Sequence, residues 1–234
     1  IGTVNLLTNQ ITGGNPLTYT DVTPIAMLVH EYVVFAVNID SAIRDARDFI
    51  ERVRRDPASV SVGFSPGLGA AAHISYGLVA QAASADLRKL KTVVFKSGGE
   101  ATTALLGGHI DCAVAAIPGV LPHLKAGKLR VIAVPAPRRL TGDLANVPTW
   151  NEIGVNAVFT NWRGVFGPPG LTPEQIAYWD RVLEQVVHTD EWKSVVAKFN
   201  QEEAFTDAQG ARTFLRKQHE VLKSVLTDLG LAKQ

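Results

Sequence analysis

The sequence predicts an α/β protein in which short strands alternate with amphipathic helices. Short apolar, β-branched runs at 32–37 and 60–64 have the length of buried strands. The segment 43–55 repeats apolar residues at helical spacing, with Ser41 as its expected N-cap. Because alternating strands and helices are typical of parallel sheets covered by helices, we expect mostly parallel sheets.

The other elements follow from the same local signals. Thr172 and the proline after it open a helix in the usual order of N-cap and first helical position. The predicted strands are 4–7, 25–29, 32–37, 60–64, 92–95, 109–115, 130–134 and 165–167. The predicted helices are 43–55, 70–83, 100–106, 118–126, 172–188, 191–198 and 208–229.

The composition argues against several classes of protein. The chain has 234 residues, 46% of them hydrophobic, and its 23 basic and 22 acidic residues leave a net charge of +1. We therefore expect no nucleic-acid partner. No apolar run reaches the ~18 residues of a membrane span. The single cysteine, Cys112, is interpreted as a buried apolar residue, and no histidine stands at metal-ligand spacing from it. We predict no metal site and no cofactor.

The chain is predicted to form two lobes. The strand at 32–37 leads into the polar segment 38–40, which has the character of an exit from one lobe. The chain returns near 157–164. We predict a first lobe of residues 1–39 plus 158–234 and a second lobe of residues 40–157.

Two segments have the sequence of anion-binding loops. The strand ending at Phe64 runs into a glycine turn and an alanine-rich helix, and the strand ending at Phe95 runs into Lys-Ser-Gly-Gly and another helix. Glycines allow close backbone approach, and a helix N-terminus offers unpaired N–H donors with partial positive charge. We expect both loops to face one cleft. The predicted ligand-binding residues are Ser65, Gly67, Leu68, Gly69, Ala70, Lys96, Ser97, Gly98, Gly99 and Arg163.

Three side chains near these loops are interpreted separately. Lys96 and Arg163 are the cations that could pair with a ligand carboxylate. His73, in the first turns of the helix after Gly69, is expected to support the loop rather than bind the ligand.

Ser65 also allows an enzyme interpretation. Residues 63–67 match the G-x-S-x-G pattern of a nucleophile elbow. However, the oxyanion hole of such an elbow needs the N–H of the residue after the serine, and Pro66 has none. We predict no catalytic residue. A serine hydrolase and the effector-binding domain of a transcription regulator remain as alternatives to a solute receptor.

Several motifs in order give the chain a family resemblance. They are LTYTDVTP (17–24), FKSGGEA (95–101), LLGGHID (105–111), LPHLKAGKLR (121–130), VPTW (147–150), NWRG (161–164) and GLTPEQ (170–175). With these motifs the chain resembles the solute receptors of tripartite tricarboxylate transporters, which are bacterial periplasmic binding proteins.

The resemblance implies a two-lobed "flytrap" fold of the type II periplasmic-binding-protein architecture. It further implies that a tricarboxylate, dicarboxylate or similar small carboxylate is bound in the cleft, that a membrane permease receives it, and that the location is periplasmic. Family members carry an N-terminal segment before the strand expected at 4–7. Its absence predicts an incomplete first lobe, weak ligand binding and self-association, for instance as a homodimer.

Overall fold

The computed structural model describes residues 1–233, which fold into eight strands, eight α-helices and three short 3₁₀ turns. The strands are β1 (Thr23–Glu31), β2 (Val33–Asn38), β3 (Val62–Phe64), β4 (Thr92–Val94), β5 (Cys112–Ala116), β6 (Leu129–Ala133), β7 (Asn161–Gly167) and β8 (Glu202–Thr206). The helices are α1 (Asn5–Ile11), α2 (Ala46–Arg55), α3 (Ala71–Ala82), α4 (Gly98–Leu106), α5 (Ile117–Lys125), α6 (Pro173–Val187), α7 (Asp190–Lys198) and α8 (Ala208–Asp228).

The elements pack as two compact units. The first consists mainly of residues 1–31 and 161–227, and the second mainly of residues 32–160. The chain passes between the units next to Glu31, eight residues before the expected exit at 39, and next to Asn161, three residues after the expected return at 158.

The first unit contains a three-stranded antiparallel sheet in the order β7-β1-β8. Strand β1 is buried over most of its length and is paired on both sides. Strand β8 was not predicted, because Glu202 and Glu203 lack strand propensity and only pairing with β1 supports the extended form. Helix α6 lies at the surface of this unit and buries only Val187.

The predicted strand at 4–7 is wrong, because these residues enter helix α1. Val4, Leu7 and Ile11 are each at most 5% exposed. Their spacing of three and four residues puts them on one helical face. Burial of that face decides the conformation, whereas the short apolar run alone also fits a strand.

The second unit is a five-stranded sheet with helices on both faces. The strand order is β4-β3-β5-β2-β6. Helices α2 and α3 cover one face, around an aromatic cluster in which Phe35 and Trp150 have ring centroids 4.9 Å apart. Side chains of α4 and α5 cover the other face.

The expectation of mostly parallel sheets is wrong. Only the β3–β4 and β3–β5 pairs are parallel, while β2 runs antiparallel to both β5 and β6. The reason is connectivity: β2 enters directly from β1 of the other unit, with no covering helix between them, so it need not share the direction of the β-α-β strands.

The helix starts differ from prediction in two places. Asp45, not Ser41, caps α2, since its side chain accepts the N–H of Asp48 at 2.9 Å. Helix α4 begins at Gly98 rather than at residue 100, with Ser97 as its N-cap. Both caps are short polar side chains close to the predicted start, so the kind of signal was correct and its position was not.

Candidate functional site

The two glycine loops lie together at one edge of the sheet in the second unit. Strands β3 and β4 are parallel neighbours, and the N–H of Phe95 donates to the carbonyl of Phe64 at 2.9 Å just beyond both strands. A Cβ built on Gly98 would lie 3.8 Å from the Ser65 hydroxyl. The structure therefore brings nine of the ten predicted site residues into adjacent loops.

His73 contacts the loop that follows β3 and supports its conformation. The N–H of Gly69 donates to Nδ1 of His73 at 3.1 Å, and the imidazole lies against Phe64 with ring centroids 4.8 Å apart. The side chain is only 4% exposed, and this burial lowers the pKa of His73 to about 4. The ring is therefore neutral at pH 7, with Nδ1 assigned as the acceptor from this hydrogen bond. The supporting role predicted for His73 agrees with this geometry.

This contact changes the donor set of the first loop. The N–H of Gly69, predicted as a ligand donor, is already bonded to His73. Gly69 itself has a φ of +78°, a left-handed conformation that glycine adopts without strain. Its contribution to the loop is therefore conformational, and the donors must come from the residues that follow.

Those donors lie at the start of α3. Ala70 is the N-cap residue, with φ −73° and ψ 163°, and makes no side-chain cap hydrogen bond. The first helical N–H groups, from Ala71 onward, have no acceptor within their own helix. Together with the partial positive charge of the helix end, they form an anion-binding group. The alanines that the sequence places here leave this group without a side-chain acceptor of its own.

The loop leaves open space beside this group. A Cβ built on Gly67 would meet no heavy atom within 4 Å. Leu68 at the tip of the loop is 55% exposed. The Ser65–Pro66 peptide bond is cis.

In the second loop, after β4, some of the backbone N–H donors are already hydrogen-bonded to side chains of the loop and of α4. The Ser97 hydroxyl accepts the N–H of Glu100 at 3.2 Å, and a carboxylate oxygen of Glu100 accepts the N–H of Lys96 at 3.2 Å. A carboxylate of the protein therefore already sits against this helix start. Lys96, one of the two predicted ligand cations, is exposed.

Arg163, the tenth predicted residue, lies in the first unit and has a partner there. Its Nε and one terminal nitrogen donate to the two carboxylate oxygens of Glu31 at 3.1 and 2.9 Å. Asn161 and Gln201 also donate to Glu31. Sequence reasoning missed this cluster, because it depends on the register that pairs β1 with β7. The Arg163 guanidinium is thus not a free cation, although Glu31 occupies only two of its five donors.

The remaining chemistry-bearing residues give no reactive centre. Cys112 is buried, and burial raises the pKa of its thiol. Within residues 1–233, no group of three metal-ligating side chains comes together. None of the helices in that range is long and apolar enough to span a bilayer.

A comparison with protein families decides the family of the chain. Residues 14–231 match the family described as "Tripartite tricarboxylate transporter family receptor". The chain belongs to this receptor family. Its members are periplasmic solute-binding proteins rather than enzymes, so the serine hydrolase alternative at Ser65 is rejected.

Curated relatives of the receptor agree with this assignment. The chain is 26% identical over 197 residues to the "UPF0065 protein in gbd 5'region" of Cupriavidus necator, covering 84% of this chain and 58% of that protein. It is 29% identical over 180 residues to Protein BugT of Bordetella pertussis, covering 76% of this chain and 53% of that protein. The receptor chain thus spans little more than half the length of these relatives.

Solved structures show the same fold as the receptor. A TctC solute-binding protein from Polaromonas, without ligand, superposes with a TM-score of 0.83 at 23% identity, covering 97% of this chain and 77% of that chain. A protein of R. palustris with adipate gives 0.80 at 22% identity, with coverages of 99% and 77%. MatC of Rhodopseudomonas palustris with bound malate gives 0.74 at 20% identity, with coverages of 96% and 77%.

Proposed function

We propose that this chain is the ligand-binding part of a periplasmic receptor that takes up a small di- or tricarboxylate and delivers it to a membrane permease. One observation carries the proposal. Helix α3 starts beneath an open glycine loop without a side-chain cap, so its first N–H donors are available to an external oxyanion.

The chemistry of this helix start suits a carboxylate. A carboxylate oxygen can accept from the N–H groups of Ala71 and Ala72, and the helix dipole favours its negative charge. The Ser65 hydroxyl and the start of α4 lie beside the same loop. In the proposed complex, Ser65, Gly98 and Gly99 bind a second oxygen of the ligand, while Lys96 attracts its charge from the exposed rim.

The ligands of structurally similar receptors support this class of compound. One relative of similar fold was solved with adipate and another with malate, both of them dicarboxylates. Because the identities are 22% and 20%, these structures support the class of ligand and do not select one compound.

Two further assignments remain predictions within this proposal. One is the division of the chain into lobes at residues 39–40 and 157–158. The other is a ligand contact for Arg163, for which a carboxylate would use guanidinium donors that Glu31 leaves over. An Arg163→Gln variant that binds dicarboxylates as tightly as the wild type would remove Arg163 from the site.

Isothermal titration with adipate, malate and citrate tests the site directly. The Gly67 carbonyl accepts the N–H of Ala70 at the helix start at 3.3 Å. In the Gly67→Val variant, the new side chain occupies space that is empty in the protein. We expect at least ~10-fold weaker binding, which is about 1.4 kcal/mol. Gly119→Val is the matched control, since a Cβ there also meets nothing within 4 Å and Gly119 lies in α5.

The two variants separate a local effect from a general one. Both should keep the circular dichroism spectrum and unfolding midpoint of the wild type. If Gly67→Val binds all three carboxylates with unchanged affinity, the α3 loop is not the binding site. If the wild type binds none of them, the proposed ligand class is wrong for this chain.

A further inference from the structure

A pocket lies entirely within the first unit. It has a volume of about 380 Å³ and is bounded by the turn before β1 and by helix α8. Tyr19 and Thr20 contribute hydroxyl groups from the turn, and Thr23 contributes one from the start of β1. Arg212 and Arg216 contribute guanidinium groups from the helix. None of these residues belongs to the loops of the proposed carboxylate site.

The two arginines place positive charge on one helix face. They are four residues apart, so their side chains project from the same side of α8. Within the described residues 1–233, neither joins an ion pair. Like charges at this spacing destabilise a helix. An anion between them would remove this repulsion.

Two acids on neighbouring elements, Asp21 and Asp180, have hydrogen-bond partners of their own. A carboxylate oxygen of Asp21 accepts the N–H of Thr18 at 2.7 Å, and the N–H of Asp21 donates to the Thr18 carbonyl at 3.1 Å. Asp21 therefore closes its own turn. Asp180, whose charge acts on Arg212, accepts the N–H of Ala208 at 3.2 Å. Among the residues that line the pocket, the charged side chains are these two arginines.

The turn itself is held in place by its hydrogen bonds and ring contacts. The Thr23 hydroxyl donates to the Pro168 carbonyl at 2.7 Å, and the hydroxyls of Thr18 and Thr20 are hydrogen-bonded to each other. The Tyr19 ring packs on His219 of α8 with ring centroids 5.3 Å apart. These contacts fix the polar wall opposite the two arginines without help from a ligand.

We propose that this pocket binds a small oxyanion carrying two negative charges. Guanidinium groups donate in a planar, forked geometry that matches the oxygens of phosphate, sulfate or carboxylate. Two such groups one helical turn apart suit a dianion, either as one tetrahedral group or as the two ends of a short dicarboxylate. The site is separate from the carboxylate-binding loops and does not depend on the proposed function.

Calorimetric titration at constant ionic strength tests the pocket, because contacts between exposed charges weaken with salt. Inorganic phosphate and succinate are the two probes, so the experiment distinguishes a tetrahedral anion from a dicarboxylate. We expect saturable binding of at least one probe, weakened at least ~10-fold in Arg212→Gln/Arg216→Gln. The control is Arg54→Gln/Arg55→Gln, which removes two exposed arginines from α2 and should leave this binding unchanged.

The Gly67→Val variant distinguishes binding at this pocket from binding at the α3 loop. Gly67→Val should retain the pocket's phosphate or succinate binding, whatever happens to adipate or malate at α3. The proposal is overturned if the wild type shows no saturable binding of either probe. It is also overturned if the α2 control loses binding to the same degree as the α8 variant, since the effect would then be one of net charge.

Discussion

Gly69 is a residue of the candidate site at which backbone geometry restricts the sequence. Its φ of +78° disfavours any side chain, whereas Gly67 in the same loop has open space and no positive φ. We expect Gly69→Ala to lower the free energy of unfolding by about 1–2 kcal/mol. Gly67→Ala should change it little. Urea denaturation of both variants measures the difference. If the two variants are equally stable, the left-handed conformation of residue 69 does not restrict the side chain there.

The neutral imidazole of His73 predicts a specific loss of stability in acid. The pKa of His73 falls from 6.5 to about 4 on folding, because burial disfavours the charged ring. The unfolded chain therefore binds the proton more readily, and this contribution to stability is lost as the pH falls from 6.5 towards 4. We expect it to reduce the free energy of unfolding by about 2 kcal/mol between pH 7 and pH 5.

His73→Gln isolates this effect. A glutamine oxygen can still accept the Gly69 N–H but does not titrate. Subtracting the pH dependence of the variant from that of the wild type removes the contributions of carboxylates and of His30, the other histidine whose pKa burial lowers. Parallel pH profiles would show that His73 is not the titrating group.

At the scale of elements, a substitution at the N-cap of α3 can supply the side-chain acceptor that this helix start lacks. Ala70 already has the backbone geometry of an N-cap residue, and Ser97 shows the corresponding side-chain cap on α4. Ala70→Asp should stabilise the protein by about 1 kcal/mol. The same carboxylate would occupy and repel the ligand's position, so dicarboxylate binding should weaken at least ~10-fold.

A matched control exists at α5. Ala116 is also an N-cap residue without a side-chain cap, so Ala116→Asp makes the same chemical change at another helix start of the second unit. It should leave the dicarboxylate affinity unchanged. Equal effects of the two substitutions in titration and thermal unfolding would argue that charge, rather than the α3 donors, governs binding.

The elements that sequence reasoning predicted correctly are those specified by local chemistry. The glycine loops and most helix ends depend on residues such as Gly69, Ser97 and Thr172, which act within a few positions of themselves. The direction of β2 and the existence of β8 depend on the strands beside them, which no local pattern encodes. For the same reason, the Gly69–His73 hydrogen bond and the pairing of Arg163 with Glu31 emerged only from the fold.

At the scale of the whole molecule, α6 exposes large apolar and aromatic side chains at the surface of its unit. Tyr178 is 54% exposed, Trp179 43% and Val186 41%. Exposed aromatic surface of this kind favours contacts between molecules. We predict that the chain self-associates and that Tyr178→Lys/Trp179→Lys shifts it towards the monomer.

Sedimentation velocity over a range of protein concentrations measures this shift. Arg54→Lys/Arg55→Lys serves as the control, because it changes exposed side chains on α2 without removing aromatic surface. A wild-type chain that stays monomeric at the highest concentration would contradict the prediction. Association that persists in the α6 variant would place the contact on another surface.

The start of α3 also bears on how such receptors diversify. In the proposed complex, main-chain N–H groups rather than side chains recognise the charged end of the ligand, and every residue except proline supplies one. Most substitutions in the helix therefore leave that recognition intact, provided the backbone keeps its course through Gly69. Selection can then alter the surrounding side chains to suit acids of different length and shape. In this way, members of one family can differ in ligand specificity while the same main-chain N–H groups bind the carboxylate.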